Sequence, residues 1–289
     1  MLRIGEFEVT SIVNGTIRLD GGAMFGVVPK VLWGNVIDVD AENRILLATR
    51  SLLIVHRGQQ RVMLVDTGCG TKWTPEKAAK FAIESDAGAI PKALSSAGLS
   101  ESDVTDVVIS HLHFDHNGGL TDWVDDPDGP TELHFPRAKH WVHRGHWEHA
   151  HDPHIKDRAS FLPEDFTALE DAGVLEIVDG DTPDPPFEGL EWLVTHGHTP
   201  YQLHPIIGGK GDSRLLFVGD IVPTVSHLRL GWVMAYDMQP QQTIAEKKMI
   251  YRHCLEDGLM LAFPHDPSTG GVVLDGSISR PIVSQALDI

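Results

Sequence analysis

The chain has 289 residues, with 41 acidic side chains against 23 lysines and arginines, a formal net charge of −18. That length suits one large domain or two small ones. The acidity argues against a nucleic-acid groove, an anionic lipid surface and highly anionic substrates, and reads most simply as a soluble, self-repelling surface.

The opening stretch MLRIGEFEVTSIV lacks the uninterrupted apolar core of a secretory leader, and no later run is long enough to span a membrane. A cytoplasmic protein is therefore expected. Phe7 to Val13 reads as a strand. The following segment, Gly21 to Pro29, is glycine-rich and apolar but carries no phosphate-binding GxGxxG pattern. It reads as a loop over an apolar pocket, as a contact between two copies of the chain in a homodimer, or as a buried irregular connection. Ser51 to Val55 and Arg61 to Val65 read as a hairpin joined through Arg57 to Gln60. Asp66-Thr67-Gly68 closes the second strand. Cys69, beside it, reads as a packed thiol. With the distant Cys254 it forms no disulfide framework and suits a reducing compartment. Ala89 to Ala97 has the character of a helix, with Pro91 in its first turn and Gly98 as its cap.

Val104 to Ser110 reads as a buried strand whose end delivers His111-Leu112-His113-Phe114-Asp115-His116. A lone histidine at a strand end needs no function. Three imidazoles and a carboxylate within six residues form a metal-ligand pattern, and these donors suit Zn, Fe, Mn, Co or Ni. Asn117-Gly118-Gly119 then supplies a turn in which positive φ costs little. Ser110 has no base-and-orienter set around it and reads as a structural hydroxyl. From His134 to His154 the chain holds seven histidines, and from His140 to His149 they recur every three residues, as on one helical face. Trp141 and Trp147 interleave with them and no cysteine completes a site. A partly exposed helix flanking the pocket is preferred to a third metal site. Leu190 to Val194 leads into Thr195-His196-Gly197-His198, which offers two candidate imidazoles. Leu215 to Val218 leads into Gly219-Asp220. Thr243 to Leu255 has helical spacing and ends near Gly258, and Leu259 to Phe263 delivers His265. Strands that end in ligands, with helices between some of them, point to an α/β architecture. Ligands drawn from 111 to 265 must converge, so a single domain over 1–289 is expected.

The HxHxDH stretch resembles the signature of the metallo-β-lactamase superfamily. Asp66-Thr67-Gly68 is similar to that family's early Asp-x-Gly, whose carboxylate orients the ligand loop. Gly197-His198-Thr199-Pro200 is similar to its GHTP motif, Gly219-Asp220 to its bridging aspartate, and His265 to its last histidine. These parts occur in the family's order, so the resemblance covers most of the chain. It implies a four-layer αββα sandwich with two divalent metal ions, zinc being the first expectation. His111, His113 and His198 would hold the first ion. Asp115, His116 and His265 would hold the second, with Asp220 between them. Alignment on the GHTP motif selects His198 as the ligand and leaves His196, where the family often has proline, as a neighbouring or pocket group.

The chemistry implied is attack of a metal-bridging hydroxide on a carbonyl or phosphoryl centre, with Asp220 or Asp115 moving the proton. The LDGGAMFGVVPK segment and Gly219-Asp220-Ile221-Val222-Pro223 look most like the quorum-quenching, N-acyl homoserine lactonase branch. Several members of that branch carry a tyrosine where this chain has Pro223, which cannot donate a hydrogen bond. Met24, Phe25 and Trp232 are apolar candidates for covering an acyl chain. Tyr236 is a candidate substitute for the missing tyrosine, against a simpler reading as a packed ring. The leading expectation is a dinuclear lactonase acting on a small lactone or ester. The alternatives are a phosphotriesterase or arylesterase on the same site, and a redox or noncatalytic binding protein of the same fold.

Overall fold

The structure, a computed structural model, describes residues 1–125, 129–209 and 213–289. Two large sheets carry the fold. The first is ordered Leu2–Ile4, Phe7–Asp20, Arg44–His56, Arg61–Val65, Asp106–Val108, Lys139–His143 and Leu175–Val178, with Glu84–Ser85 pairing on Phe7–Asp20. The second is ordered Leu190–Thr195, Gln202–Ile207, Leu215–Phe217, Met260–Ala262, Gly271–Ser277 and Arg280–Leu287.

Side-chain alternation explains how these sheets stack. Successive strand residues point to opposite faces, so a strand buried on both faces serves two cores. Leu52, Ile54, Met63 and Val65 pack between the sheets against Leu203, Leu215, Phe217 and Ala262. Their neighbours Leu53, Val55, Val62 and Leu64 pack outward with Leu94, Trp147 and Leu169, which lie on the helices Ala89–Ser96, Arg144–His151 and Ala168–Ala172. On the second sheet Leu216 and Leu261 face outward, against Ile250, Tyr251 and Cys254 of the helix Pro240–Asp257. The order helix, sheet, sheet, helix is the αββα sandwich. Among the described residues no helix is long and apolar enough to cross a membrane.

Strand direction places the loops. Arg61–Val65, Asp106–Val108 and Lys139–His143 run parallel, as do Leu215–Phe217 and Met260–Ala262. The chain leaves the C-terminal ends of four of these strands into the loops that bear Asp66, His111, Asp220 and His265, the usual place for a site in an α/β sheet.

Several elements depart from the sequence expectation. The first long strand runs on to Asp20 because Arg44–His56 pairs along its whole length, with a bulge at Asn14, between Val13 and Gly15. Gly15 has φ +153°, and a Cβ there would fall on the Glu84 carbonyl. The stretch Gly21–Phe25 is a short helix rather than a loop, capped by Asp20 Oδ1 accepting from Ala23 N at 2.8 Å. The His140–His149 run is not one helix. Lys139–His143 is a strand paired on both sides, and the helix begins only at Arg144. His140, His143 and His146 are buried rather than displayed. After Asp115 the chain stays helical through Asn117 and then forms a 3-10 turn, without positive φ at Gly118 or Gly119. Those glycines serve close approach instead: a Cβ on Gly118 would fall on Cys69 O and one on Gly119 on Thr67 O. The loop that carries His111 to His116 can therefore press against the Asp66 loop.

Candidate metal centre

The site is built where these loops meet. Among the described residues His111, His113 and His198 form one group of metal-capable atoms, Asp115, His116 and His265 a second, and His111, His116 and Asp220 a third that lies across them. Six of these seven side chains are all but fully buried, and Asp115 is nearly so.

Hydrogen bonding decides which nitrogen of each ring is free. His265 Nδ1 lies 2.8 Å from the Ala48 carbonyl, which can only accept, so Nδ1 carries the proton. His116 Nδ1 lies 2.8 Å from Asp66 Oδ2, and His198 Nδ1 lies 3.1 Å from Asp237 Oδ1. Ser110 Oγ donates to Asp66 Oδ2 at 2.7 Å and so accepts from His111 Nδ1 at 3.0 Å. Each of these four rings thus turns a bare Nε2 into the site. The bare Nε2 atoms of His116 and His265 face each other at 3.0 Å, and His198 Nε2 faces His113 Nδ1 at 3.2 Å. His111 Nε2 is buried without a hydrogen-bond partner. Lone pairs packed this closely repel unless a cation lies among them. The donor set therefore fits divalent metal.

The charges agree. Burial holds His111 and His113 well below the ordinary imidazole range, helped by neighbouring histidines. Burial also opposes charging His116, but Asp220 and Asp115 outweigh it and hold that ring well above the range. Burial works against ionised Asp220 too, yet His265, His116 and His198 keep its carboxyl well below the usual carboxylate range. The carboxylates call for positive charge between the rings, which metal supplies as well as protons do.

Asp66 anchors the frame. It adopts φ +56°, uncommon for a residue with a side chain. Its Oδ1 accepts from Ser110 N at 2.8 Å, while Oδ2 serves Ser110 Oγ and His116. One carboxylate thereby orients rings in both groups.

A cavity of about 220 Å³ opens onto the cluster. Leu19, Met24, Phe81, Phe114, Met234 and Tyr236 supply its apolar wall, and His113, Asp115, His198, Asp220 and His265 its floor. Phe25 and Trp232 do not line it. The Phe25 ring is stacked between Trp33 and His227, with Trp232 edge-on behind it. His196 also lies off the cluster: it points to Asp181 at 3.6 Å and packs its ring on Tyr201. Sequence reasoning missed Asp237, whose carboxylate orients His198 across 39 positions of chain, and nothing local signals that pairing. It also missed Phe114, although that ring lies inside the HxHxDH motif.

The sequence profile of the metallo-beta-lactamase superfamily matches residues 45–277. The chain belongs to this superfamily. Among solved structures, a probable metal-dependent hydrolase from Staphylococcus aureus is 27% identical, with a TM-score of 0.84 over 99% of this chain and 100% of that one. AidC, described as a dizinc quorum-quenching lactonase in complex with a product, is 21% identical, with a TM-score of 0.78 over 99% of this chain and 97% of its own. The hydrolase AbOPH is 19% identical, with a TM-score of 0.76 over the same shares, 99% and 97%. At these two lower identities the likeness of this metallo-beta-lactamase superfamily member is one of fold.

Proposed function

We propose that this superfamily member is a dinuclear metal-dependent lactonase that opens N-acyl homoserine or related lactones. The single observation that carries the reading is the placement of Asp220 at the end of an apolar cavity. Its Oδ2 faces His198 Nε2 at 3.4 Å, while its Oδ1 faces His116 and His265 Nε2 at 3.3 and 3.1 Å. Each oxygen thus serves a different group of imidazoles, as a bridge requires. In this reading His111, His113 and His198 would hold one ion, Asp115, His116 and His265 would hold the other, and Asp220 would serve both. Zinc suits the set, as do Fe, Mn, Co and Ni. Two such ions, when bound, supply Lewis acidity and draw a nucleophile from water at neutral pH.

The protein's own groups do the rest. Met24, Phe81, Phe114 and Met234 receive the acyl arm. Water adds to that carbonyl, the ring C–O bond breaks, and the proton lost by water ends on the leaving oxygen, giving a hydroxy acid. Asp220 would be committed to the two ions, one oxygen facing each group of imidazoles. Asp115, on the cavity floor with one oxygen 3.4 Å from His265, carries that proton in this reading. Tyr236 stands at the cavity mouth. Burial, with Asp115 and Asp20 adding, pushes its hydroxyl up to about 12, so it stays protonated and can donate to the developing oxyanion in place of a residue at Pro223. AidC, similar over 99% of this chain, is named a lactonase with product bound, which supports the same substrate class here. The acting unit is taken as one domain over 1–289. The free, buried thiols Cys69 and Cys254 suit the cytoplasm.

The test is a panel on zinc-reconstituted protein: acyl homoserine lactones, simple lactones, aryl esters and phosphotriesters. Acyl lactones are expected to show the highest kcat/KM. A clear win for phosphotriesters or aryl esters would transfer the site to the esterase alternative.

A further inference from the structure

The histidine-rich segment contains one ring with an unusual position. His146, in the helix Arg144–His151, is fully buried. Its Nε2 accepts from the backbone N–H of Leu112 at 2.7 Å, and its Nδ1 lies 2.8 Å from the carbonyl of Pro200. An N–H can only donate and a carbonyl can only accept. The two contacts therefore fix a single tautomer, neutral, with the proton on Nδ1. A charged ring would press an N–H against the N–H of Leu112.

Both partners belong to the ligand loops. Leu112 lies between His111 and His113, and Pro200 lies two residues beyond His198. The three-imidazole group is the one that must be assembled across these two loops. The other group is anchored elsewhere, with His116 on Asp66 and His265 on the Ala48 carbonyl. We propose that His146 is a positioning residue for the first metal site, a neutral strut that sets the distance between the HxHxDH loop and the His198 loop. This rests on the ligand assignment above. Burial supports it independently, holding the His146 ring at about 3, so that it stays neutral across the working range.

A further contact joins the loops, Leu203 N to Ser110 O at 2.8 Å. Loss of His146 is therefore expected to loosen the first site without dispersing it. His146→Phe fills the volume but leaves the Leu112 N–H and the Pro200 carbonyl unpaired. His146→Gln offers an acceptor at the reach of Nε2 and restores the Leu112 contact.

The experiment is competition for zinc against a chromophoric chelator, with cobalt absorption spectra of the same proteins. Wild-type protein is expected to give up two ions in resolvable steps. In His146→Phe one step should move by about 10- to 100-fold toward weaker binding while the other stays put. His146→Gln should recover part of that shift, and the cobalt spectrum of the first site should change in Phe and return toward wild type in Gln. Should His146→Phe fail to fold, the Gln variant decides by the same one-step shift, smaller in size. Equal weakening of both steps, or a lowered Tm with both affinities unchanged, would overturn the strut. A wild-type protein that holds fewer than two ions would instead overturn the dinuclear reading itself.

Discussion

His196 and His198 are two residues apart but face different surroundings. His198 is buried, with Nδ1 on Asp237 and Nε2 turned to His113 and Asp220. His196 is partly exposed and turned to Asp181. His198→Ala is therefore expected to lower zinc content toward one ion per chain, and His196→Ala to leave it at two, read by elemental analysis after dialysis. Greater loss from His196→Ala would count against the ligand set. Tyr236 gives a second contrast at this scale. If its hydroxyl donates to the oxyanion, Tyr236→Phe should cost about tenfold or more in kcat with little change in KM, because the bond forms only as charge develops. An unchanged kcat would leave the ring as packing alone.

The helix Pro240–Asp257 is the element that holds both sides of the His198 wall. Glu246 accepts from the backbone N–H groups of His196 and Gly197 at 2.7 and 3.0 Å. Lys247, fully buried, donates to the carbonyls of His227 and Trp232 at 2.7 and 2.6 Å and so braces the segment that ends in Tyr236 and Asp237. Burial lowers Lys247 from 10.5 to about 7. Between those values the unfolded chain binds a proton that the folded chain does not, so stability from this group rises with pH over that window and is flat below it. The wild-type advantage over Lys247→Met in urea unfolding is expected to grow from pH 7 to 9.5. A pH-independent difference would show that Lys247 keeps its proton. The helix itself was legible from Ile244, Met249, Ile250 and Cys254, and the strands from their apolar runs, because burial alone sets those patterns. Glu246 and Lys247 were not legible, since their partners lie 15 to 50 positions away. His140 and His143 fail for the same reason. A spacing of three fits a helix as well as it fits a strand and turn, and only pairing with Asp106–Val108 and Leu175–Val178 decides.

At the scale of the whole molecule the converging imidazoles and carboxylates were readable because each sits in a short motif at a strand end, whereas of the apolar cavity wall only Met24 and Tyr236 were. Leu19, Phe81 and Met234 come from three distant segments and meet only in the fold. Those walls, and a net charge of −18, favour a neutral substrate with an apolar arm. For such a substrate kcat/KM should change little with ionic strength. Each methylene added to the arm contributes up to about 0.8 kcal/mol on burial, roughly a fourfold gain in kcat/KM. The gain must stop where the cavity ends. Phe81 and Phe114, with ring centroids 5.7 Å apart, line both this cavity and a second of about 220 Å³ bounded by Trp73 and Leu162. They form the partition between the two. Wild-type protein should therefore show rising efficiency along a series of acyl homoserine lactones and then a plateau, and Phe81→Ala should move that plateau to longer chains with the shortest substrates little affected. A series flat from the first member would mean that the arm does not enter the cavity, and an unmoved plateau in Phe81→Ala would place its limit elsewhere in the wall.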